Sequence, residues 1–462
     1  MELHLRDHID DLVATGKSEQ QAFQLAVEEF GDIKPMAKET YWSQKPNSQN
    51  NFFINTTMLK NYFKIAVRNF VKHKFYSFVN VFGLTTGLSI VILIGLFVND
   101  EFKFDQFHEN KDDLYRVVEN QYYDGQPVFP VAVTPNALGP SLLTEYPEVE
   151  KSSRVSYNNY QFQLGGRQIL EQDGIMVDEH FFDMFSFPML SGSVDNFKEN
   201  LSALVLTAAM AEKYFPNQDP IGKSIKLDGE AFVVSAVMAD IPKNSHLNFS
   251  YIVNFEKLLA ESPDAVNDWG SNRLYTYVQL TKATDYKLVN EKIIGHIKEN
   301  NENSVTDIYL QPLLDIYLGE VDFVVEVQRK GEMLYVQIFS TVALFILIIS
   351  CINFMNLSTA RSAKRAKEVG LRKTIGAHRS QLIFQFLSES IFLALLAVIL
   401  SIGLVAILLP SFNQLTDKAF DFVSLFMADS GAMLALGISF TALLTGVLAG
   451  SYPALFLSSI KP

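Results

Sequence analysis

The sequence predicts a membrane α-helical protein: four transmembrane helices, with a large α+β extracytoplasmic domain inserted between helices 1 and 2. Three observations carry this. The apolar residues gather into four long runs separated by polar sequence. The lysines and arginines that cluster do so beside those runs, where they fix membrane orientation. Between the first and second runs lies a stretch long enough for an independent core, with β-branched and aromatic segments bounded by turn residues. A chain of 462 residues has room for two or three domains, and its net charge of −13 argues against a nucleic-acid binder. The single cysteine, Cys351, lies within an apolar run, so the chain forms no intramolecular disulfide.

Residues 1–42 read as a small cytoplasmic helical prefix domain. Ser18-Glu-Gln-Gln21 has the spacing of a capping box, and Ala22, Phe23, Ala26, Val27 and Phe30 recur at helical intervals before Gly31. An earlier helix carries Leu5, Ile9, Leu12 and Val13 on one face. His4 and His8 are four apart, but no third ligand is near, and they are read as solvated rather than metal-binding. Residues 43–57 form a polar linker. The charged, amphipathic start is not a signal peptide, and the first apolar run is expected to serve as an uncleaved anchor.

Residues 58–98 hold an amphipathic helix and transmembrane helix 1. Lys60, Lys64, Arg68, Lys72 and Lys74 alternate with Tyr62, Phe63, Ile65, Val67 and Phe70, and no acid intervenes. Such a helix lies at the inner membrane surface. The span itself runs from Phe75 to Val98, and Gly83 and Gly87, four apart, permit close helix packing. Positive charge before it places its far end outside, so residues 99–331 are extracytoplasmic. In that domain Leu204–Leu206, Ala231–Val237 and Leu274–Leu280 read as strands, Leu227-Asp-Gly-Glu230 as a turn, and 207–215 and 287–300 as helical.

Residues 332–462 contain helices 2–4. From Leu334 to Ala360 there is no charge, and an uncharged run of this length spans about 30 Å of hydrocarbon. Between Arg361 and Gln381 stand seven Lys/Arg against one acid, Glu368, which marks a cytoplasmic loop. The third span runs from Leu382 to Leu409, with Glu389 expected at the headgroups and Pro410 as its end. The fourth runs from Gly431 to Leu457, with Gly446 and Gly450 again four apart. The loop between them, 411–430, is acidic. All four spans agree on one topology, with both termini cytoplasmic.

The loop sequence Glu368-Val-Gly-Leu-Arg-Lys-Thr-Ile-Gly-Ala377 resembles the motif after the second membrane helix of MacB/FtsX-type ABC transporter permeases. Asn80-Val-Phe-Gly-Leu-Thr-Thr-Gly-Leu88, Leu206-Thr-Ala-Ala-Met-Ala-Glu-Lys-Tyr-Phe215 with Asp219-Pro-Ile-Gly-Lys223, and Ser451-Tyr-Pro-Ala454 are similar to other parts of that family. The opening of the external domain, from Asn99 to His108, and the helical prefix resemble its Bacteroidetes-type members. The resemblance implies a multi-pass protein of the bacterial inner membrane in which the coupling loop, 361–381, docks an ABC ATPase subunit through Glu368, Gly370, Arg372, Lys373, Gly376 and Ala377. It implies a second permease half or a homodimer as a further partner, a periplasmic protein as another, and mechanotransmission or export as the outcome. Because the sequence stops at Pro462 just after the fourth span, it reads as the first permease repeat alone. A Walker-type loop and any catalytic, cofactor-binding or metal-binding constellation are missing from the sequence, so a non-catalytic subunit is expected. The alternative is a membrane-anchored sensor or scaffold whose external domain binds a ligand or partner without transport.

Overall fold

The computed structural model describes residues 12–13, 15–18, 20–22, 24–25, 56–326, 329–374, 379–427 and 431–459. The chain divides into two compact units, Met1–Lys64 and Ile65–Pro462. In the first, the described residues contain the expected capping box: Ser18 N–H donates to Gln21 Oε1 (3.3 Å) and Gln21 N–H to Ser18 Oγ (3.4 Å). His4, His8, Leu5, Ile9 and Gly31 lie outside the described residues, as does the linker up to residue 55.

The basic amphipathic segment is a helix, Thr56–Lys72. After His73 the first apolar helix follows at once, Lys74–Glu101. The second runs from Met333 to Thr374, the third from Arg379 to Thr416 and the last from Gly431 to Ser459. Among the described residues three helices are long and apolar enough to cross a membrane: Lys74–Glu101, Met333–Ala360 and Ser380–Thr416. The last helix counts as a shorter apolar stretch over Ala435–Leu448.

Two expectations about these helices change. The basic segment after Ala360 does not begin a loop; the helix continues through it to Thr374, because Ala, Lys, Arg, Glu and Leu are all good helix formers. Nor does Pro410 end the third helix, which passes through it to Thr416. Proline removes one backbone donor, and apolar helices tolerate this where packing holds the turn. Here Leu409 is buried with Leu93, Leu96 and Val405, and Phe412 packs against that cluster. The helix stops instead at Thr416, followed by the left-handed Asp417 (φ 50°), and the Asn413 side chain holds the chain that follows by accepting from Phe420 N–H (3.1 Å) and donating to Phe420 O (2.8 Å).

Between the first and second apolar helices the chain builds one twelve-stranded mixed sheet. Its main order is Thr306–Pro312, Leu114–Gln121, Asn272–Leu280, Val149–Leu164, Arg167–Val177, Tyr251–Asn254, Ala203–Thr207, Glu230–Met238 and Met189–Gly192. Two neighbouring pairs are parallel, Tyr251–Asn254 with Arg167–Val177 and Ala203–Thr207 with Glu230–Met238. Successive residues along a strand point to opposite faces, and both faces are covered. Val205 joins one core with Val155, Phe181, Phe249 and Tyr277, while Leu204 and Leu206 join another with Phe162, Phe232 and Tyr251. All three strands read from the sequence are present. The turn read at 227–230 is a two-residue hairpin joining Ser224–Leu227 to Glu230–Met238, in which Asp228 (φ 48°) and Gly229 (φ 89°) are left-handed, as a strand-matching turn requires. The helical stretch at 208–214 is capped by the Thr207 side chain, and that at 287–300 divides into Tyr286–Ile293 and His296–Asn300.

Candidate force-transmitting junction and docking helix

The bundle has two differently built ends. At the basic end, Glu368, Gly370, Arg372 and Lys373 lie on the continuous second helix, while Gly376 and Ala377 lie outside the described residues. Inside the motif, Val369 is 2% exposed and packs with Leu382 and Phe386 of the third helix and Ala454 of the last. Leu371 points the other way, 63% exposed. The motif helix is therefore held by one apolar residue and presents another. Sequence reasoning named the charges and glycines and passed over Leu371, although an apolar residue flanked by Gly370 and Arg372 in so polar a stretch was a usable signal.

Glu389 faces protein. It is half-buried and accepts from Asn69 Nδ2 of the amphipathic helix at 2.8 Å and from Gln385 Nε2 at 3.4 Å. An acid near the apolar region is stabilised by such donors better than by exposure to lipid. Phe70 packs edge-on to Phe392 beside it, with ring centroids 6.3 Å apart. One face of the amphipathic helix is thereby fixed to the third helix.

Along the bundle the four glycines of interest sit where helices meet. A Cβ at Gly83 would stand 3.2 Å from Asn353 Nδ2, and one at Gly87 would overlap Ser350 Oγ, both on the second helix. On the last helix, a Cβ at Gly446 would be 3.0 Å from Ile391 Cα and one at Gly450 2.7 Å from Ser390 Cβ, both on the third. Hydroxyls join the first and third helices: Ser401 Oγ donates to Thr85 O at 3.1 Å, and Ser89 Oγ to Ser401 O at 3.4 Å.

The other end of the bundle is a dense polar joint. The first helix finishes in Asp100 and Glu101. Lys418, just beyond the third helix, donates to both, at 2.6 Å to Asp100 Oδ2 and 2.6 Å to Glu101 Oε1, and lies over the Phe97 and Phe104 rings. Burial pulls the Lys418 ammonium down, but its hydrogen bonds and charge pairing with Asp100 and Glu101 outweigh that and hold it above the ordinary lysine value. Tyr317, late in the chain of the sheet domain, donates to Glu101 Oε2 at 3.0 Å and stacks on Phe104. Burial, reinforced by the charge of Glu101, raises its phenol. Gly331 N–H donates to Tyr317 O at 2.9 Å, and any side chain at 331 would strike the Tyr317 ring. The chain leaving the domain is thus tied to the chain arriving in it.

Two buried clusters root this joint in the sheet. Asp105, at φ 57°, accepts from His246 N–H (3.1 Å) and Ser245 Oγ (3.2 Å), with His246 Nδ1 2.9 Å away. His246 Nε2 is 2.9 Å from the hydroxyl of Tyr277, in a central strand. Burial alone would raise Asp105; the charge and hydrogen bonds of His246 overcome it and lower the carboxyl. His108 accepts from Ser186 N–H at 3.0 Å, and burial lowers its imidazole to about 3. In the second cluster Arg116, fully buried, makes a two-pronged pair with Glu326 (2.8 and 3.0 Å) and donates to Gln311 Oε1 (2.8 Å). Phe323 lies under the guanidinium, so the strap 320–326 leading towards the second helix is pinned to the core. The sequence reading set aside external carboxylates as too numerous to single out. What could have found this joint is Lys418, the single lysine in an acidic loop beside a span.

Two family models match the two regions of this chain. Residues 77–295 match the family model of the MacB-like periplasmic core domain, and residues 340–462 match that of the FtsX-like permease C-terminal. The macrolide export ATP-binding/permease protein MacB of Neisseria meningitidis is 26% identical over 298 residues, 62% of this chain and 42% of that protein. The chain thus spans about two fifths of the length of that relative. The uncharacterized ABC transporter permease YknZ of Bacillus subtilis is 20% identical over 356 residues, covering 74% of this chain and 84% of that one. Among solved structures, a domain of a permease protein from Porphyromonas gingivalis aligns at a TM-score of 0.40 and 17% identity, covering 49% of this chain and 94% of that one. A MacB-like external core joined to an FtsX-like helical region defines an ABC transporter permease. The chain belongs to the MacB/FtsX-type ABC permeases.

Proposed function

We propose that this chain is a permease subunit that couples ATP hydrolysis by a separate ABC ATPase to movement of its external domain, for export or mechanotransmission. The observation that carries this reading is the unbroken second helix, 42 residues or about 63 Å long, reaching from beside the Tyr317 joint to the motif at 368–374. That is roughly twice the thickness of the hydrocarbon core, so its basic last third stands clear of the apolar layer as a lever.

In this reading four helices span the inner membrane, the basic end and both termini are cytoplasmic, and the sheet domain is periplasmic. Residues 1–42 are the cytoplasmic prefix and 43–57 its linker. Glu368, Arg372 and Lys373 meet the ATPase by charge, Leu371 enters a pocket on it, and Gly370, Gly376 and Ala377 allow close approach. Gly83, Gly87, Gly446 and Gly450 keep the helices close enough to move together. A homodimer, or pairing with a second permease half, completes the assembly, and a periplasmic protein is the recipient of the motion.

The test is purification from native membranes in mild detergent with and without an ATP analogue. An ABC ATPase is expected to co-purify, and Glu368→Lys with Arg372→Glu is expected to abolish its recovery while the chain stays in the membrane. Recovery that survives the double substitution would overturn the docking role.

A further inference from the structure

The amphipathic helix has a second face that the ATPase reading does not use. Its inward side, with Ala66 buried, Asn69 bonded to Glu389 and Phe70 on Phe392, is occupied by the third helix. On the outward side Val67 and Val71 are exposed, and the exposed stripe continues through Phe75 (83%), Phe78 (64%) and Phe82 (61%) into the first apolar helix. Phe78 and Phe82 stack, with centroids 5.7 Å apart. Arg68 and Lys72, one helical turn apart, flank the two valines, and Lys74 follows at the junction. All three cations are exposed, none meets an acid among the described residues, and no Asp or Glu occurs anywhere from Thr56 to Asn99.

We propose that this face is a binding site for anionic phospholipid, with the headgroup phosphate held by Arg68, Lys72 and Lys74 and an acyl chain lying along Val71, Phe75, Phe78 and Phe82. The charge pattern selects the occupant. A zwitterionic headgroup brings its own cation to a site that already holds three, whereas phosphatidylglycerol brings only the phosphate. The apolar stripe leading directly from the cations into the hydrocarbon region fits a lipid better than an acidic protein, which offers nothing to cover three exposed phenylalanines. Because the opposite face of the same helix is clamped to the third helix through Asn69 and Glu389, occupancy of the site sets how firmly the amphipathic helix seats there. The inference needs only a membrane beside this helix and holds whether or not an ATPase docks at the motif.

The experiment is electron paramagnetic resonance on the full chain reconstituted in phosphatidylcholine vesicles, comparing spin-labelled phosphatidylglycerol with spin-labelled phosphatidylcholine. The native chain is expected to favour the anionic probe, and Arg68→Gln, Lys72→Gln and Lys74→Gln together should cut that preference by about three-fold or more under salt screening. The charge-keeping set Arg68→Lys, Lys72→Arg and Lys74→Arg should restore it. An unchanged preference in the glutamine variant overturns the proposal. So does an unchanged preference accompanied by loss of ATPase co-purification, since the cations would then serve an acidic protein surface.

Discussion

The two ends of the helical bundle spend their polar residues in opposite ways. At the domain end Lys418 and Tyr317 both meet Glu101, Asp105 meets His246 and Arg116 meets Glu326, so each largely buried charge fixes a neighbour. At the basic end the helix is held by an apolar contact, Val369 on Leu382 and Phe386, while Leu371 and the cations of the amphipathic helix face outward. Buried pairs are costly to open and so lock geometry; an exposed apolar residue among charges is available to a partner. Under the proposed function, the difference suits one end to rigid transmission and the other to docking.

The contrast breaks most severely at Arg116. Arg116→Ala leaves Glu326 without its partner and frees the strap, and it should destabilise the domain by about 3–5 kcal/mol in chemical denaturation. Next comes acid. The buried His108 titrates near 3 rather than 6.5, so below about pH 6.5 the unfolded chain takes up a proton that the folded chain refuses. Stability should therefore fall as pH drops from 6.5 towards 3, by about 1.4 kcal/mol per unit. His108→Asn, which keeps an acceptor for Ser186 N–H, should flatten that limb. Glu119 supplies the opposite slope. Burial raises its carboxyl to about 7 from 4.5, so the stability it contributes while protonated is lost as pH rises from 4.5 through 7, and Glu119→Gln should remove this loss. Both slopes are read from unfolding midpoints across pH.

Lys418→Met is a milder cut. It keeps the length and apolar stem but leaves Asp100 and Glu101 short of a donor, at about 1.5–3 kcal/mol. Faster hydrogen exchange over 100–105 and 413–420, with the sheet unaffected, is the expected signature. Leu371→Ser is the smallest structural change, within about 0.5 kcal/mol for an exposed site. It should nonetheless reduce ATPase co-purification, and a large effect on stability would show that Leu371 is part of the bundle rather than of a docking face.

Much of the fold was legible because its signals are local. The apolar runs, the Asp228-Gly229 turn and the strands around Val205, Val234 and Tyr277 each declare themselves within a few residues. What was not legible depends on distant partners. Lys418 meets Glu101 across 317 positions of chain, and Asn69 meets Glu389 across 320. Lys418 stands out as the single lysine of an acidic loop, but nothing in the local sequence of either pair names its partner. Glu389 was accordingly read as facing headgroups, and Pro410 as a stop, because propensity rules do not see the packing around Leu409 and Phe412. The motif proposed for docking stood out by its order of residues, and the continuity of its part up to Thr374 with the second helix became visible only in three dimensions.

The central claim is that the external domain and the bundle move as one body through a locked junction. It is tested most directly by pulsed electron paramagnetic resonance between spin labels at two exposed sites, Leu170 on the sheet domain and Ile407 on the third helix, with Cys351 replaced by serine. Labelled chains, diluted with unlabelled ones and reconstituted with the ATPase, are compared with and without an ATP analogue. The account predicts one narrow distance distribution in both states, broadened by Lys418→Met. A distance that shifts with nucleotide while the native junction is intact would contradict it.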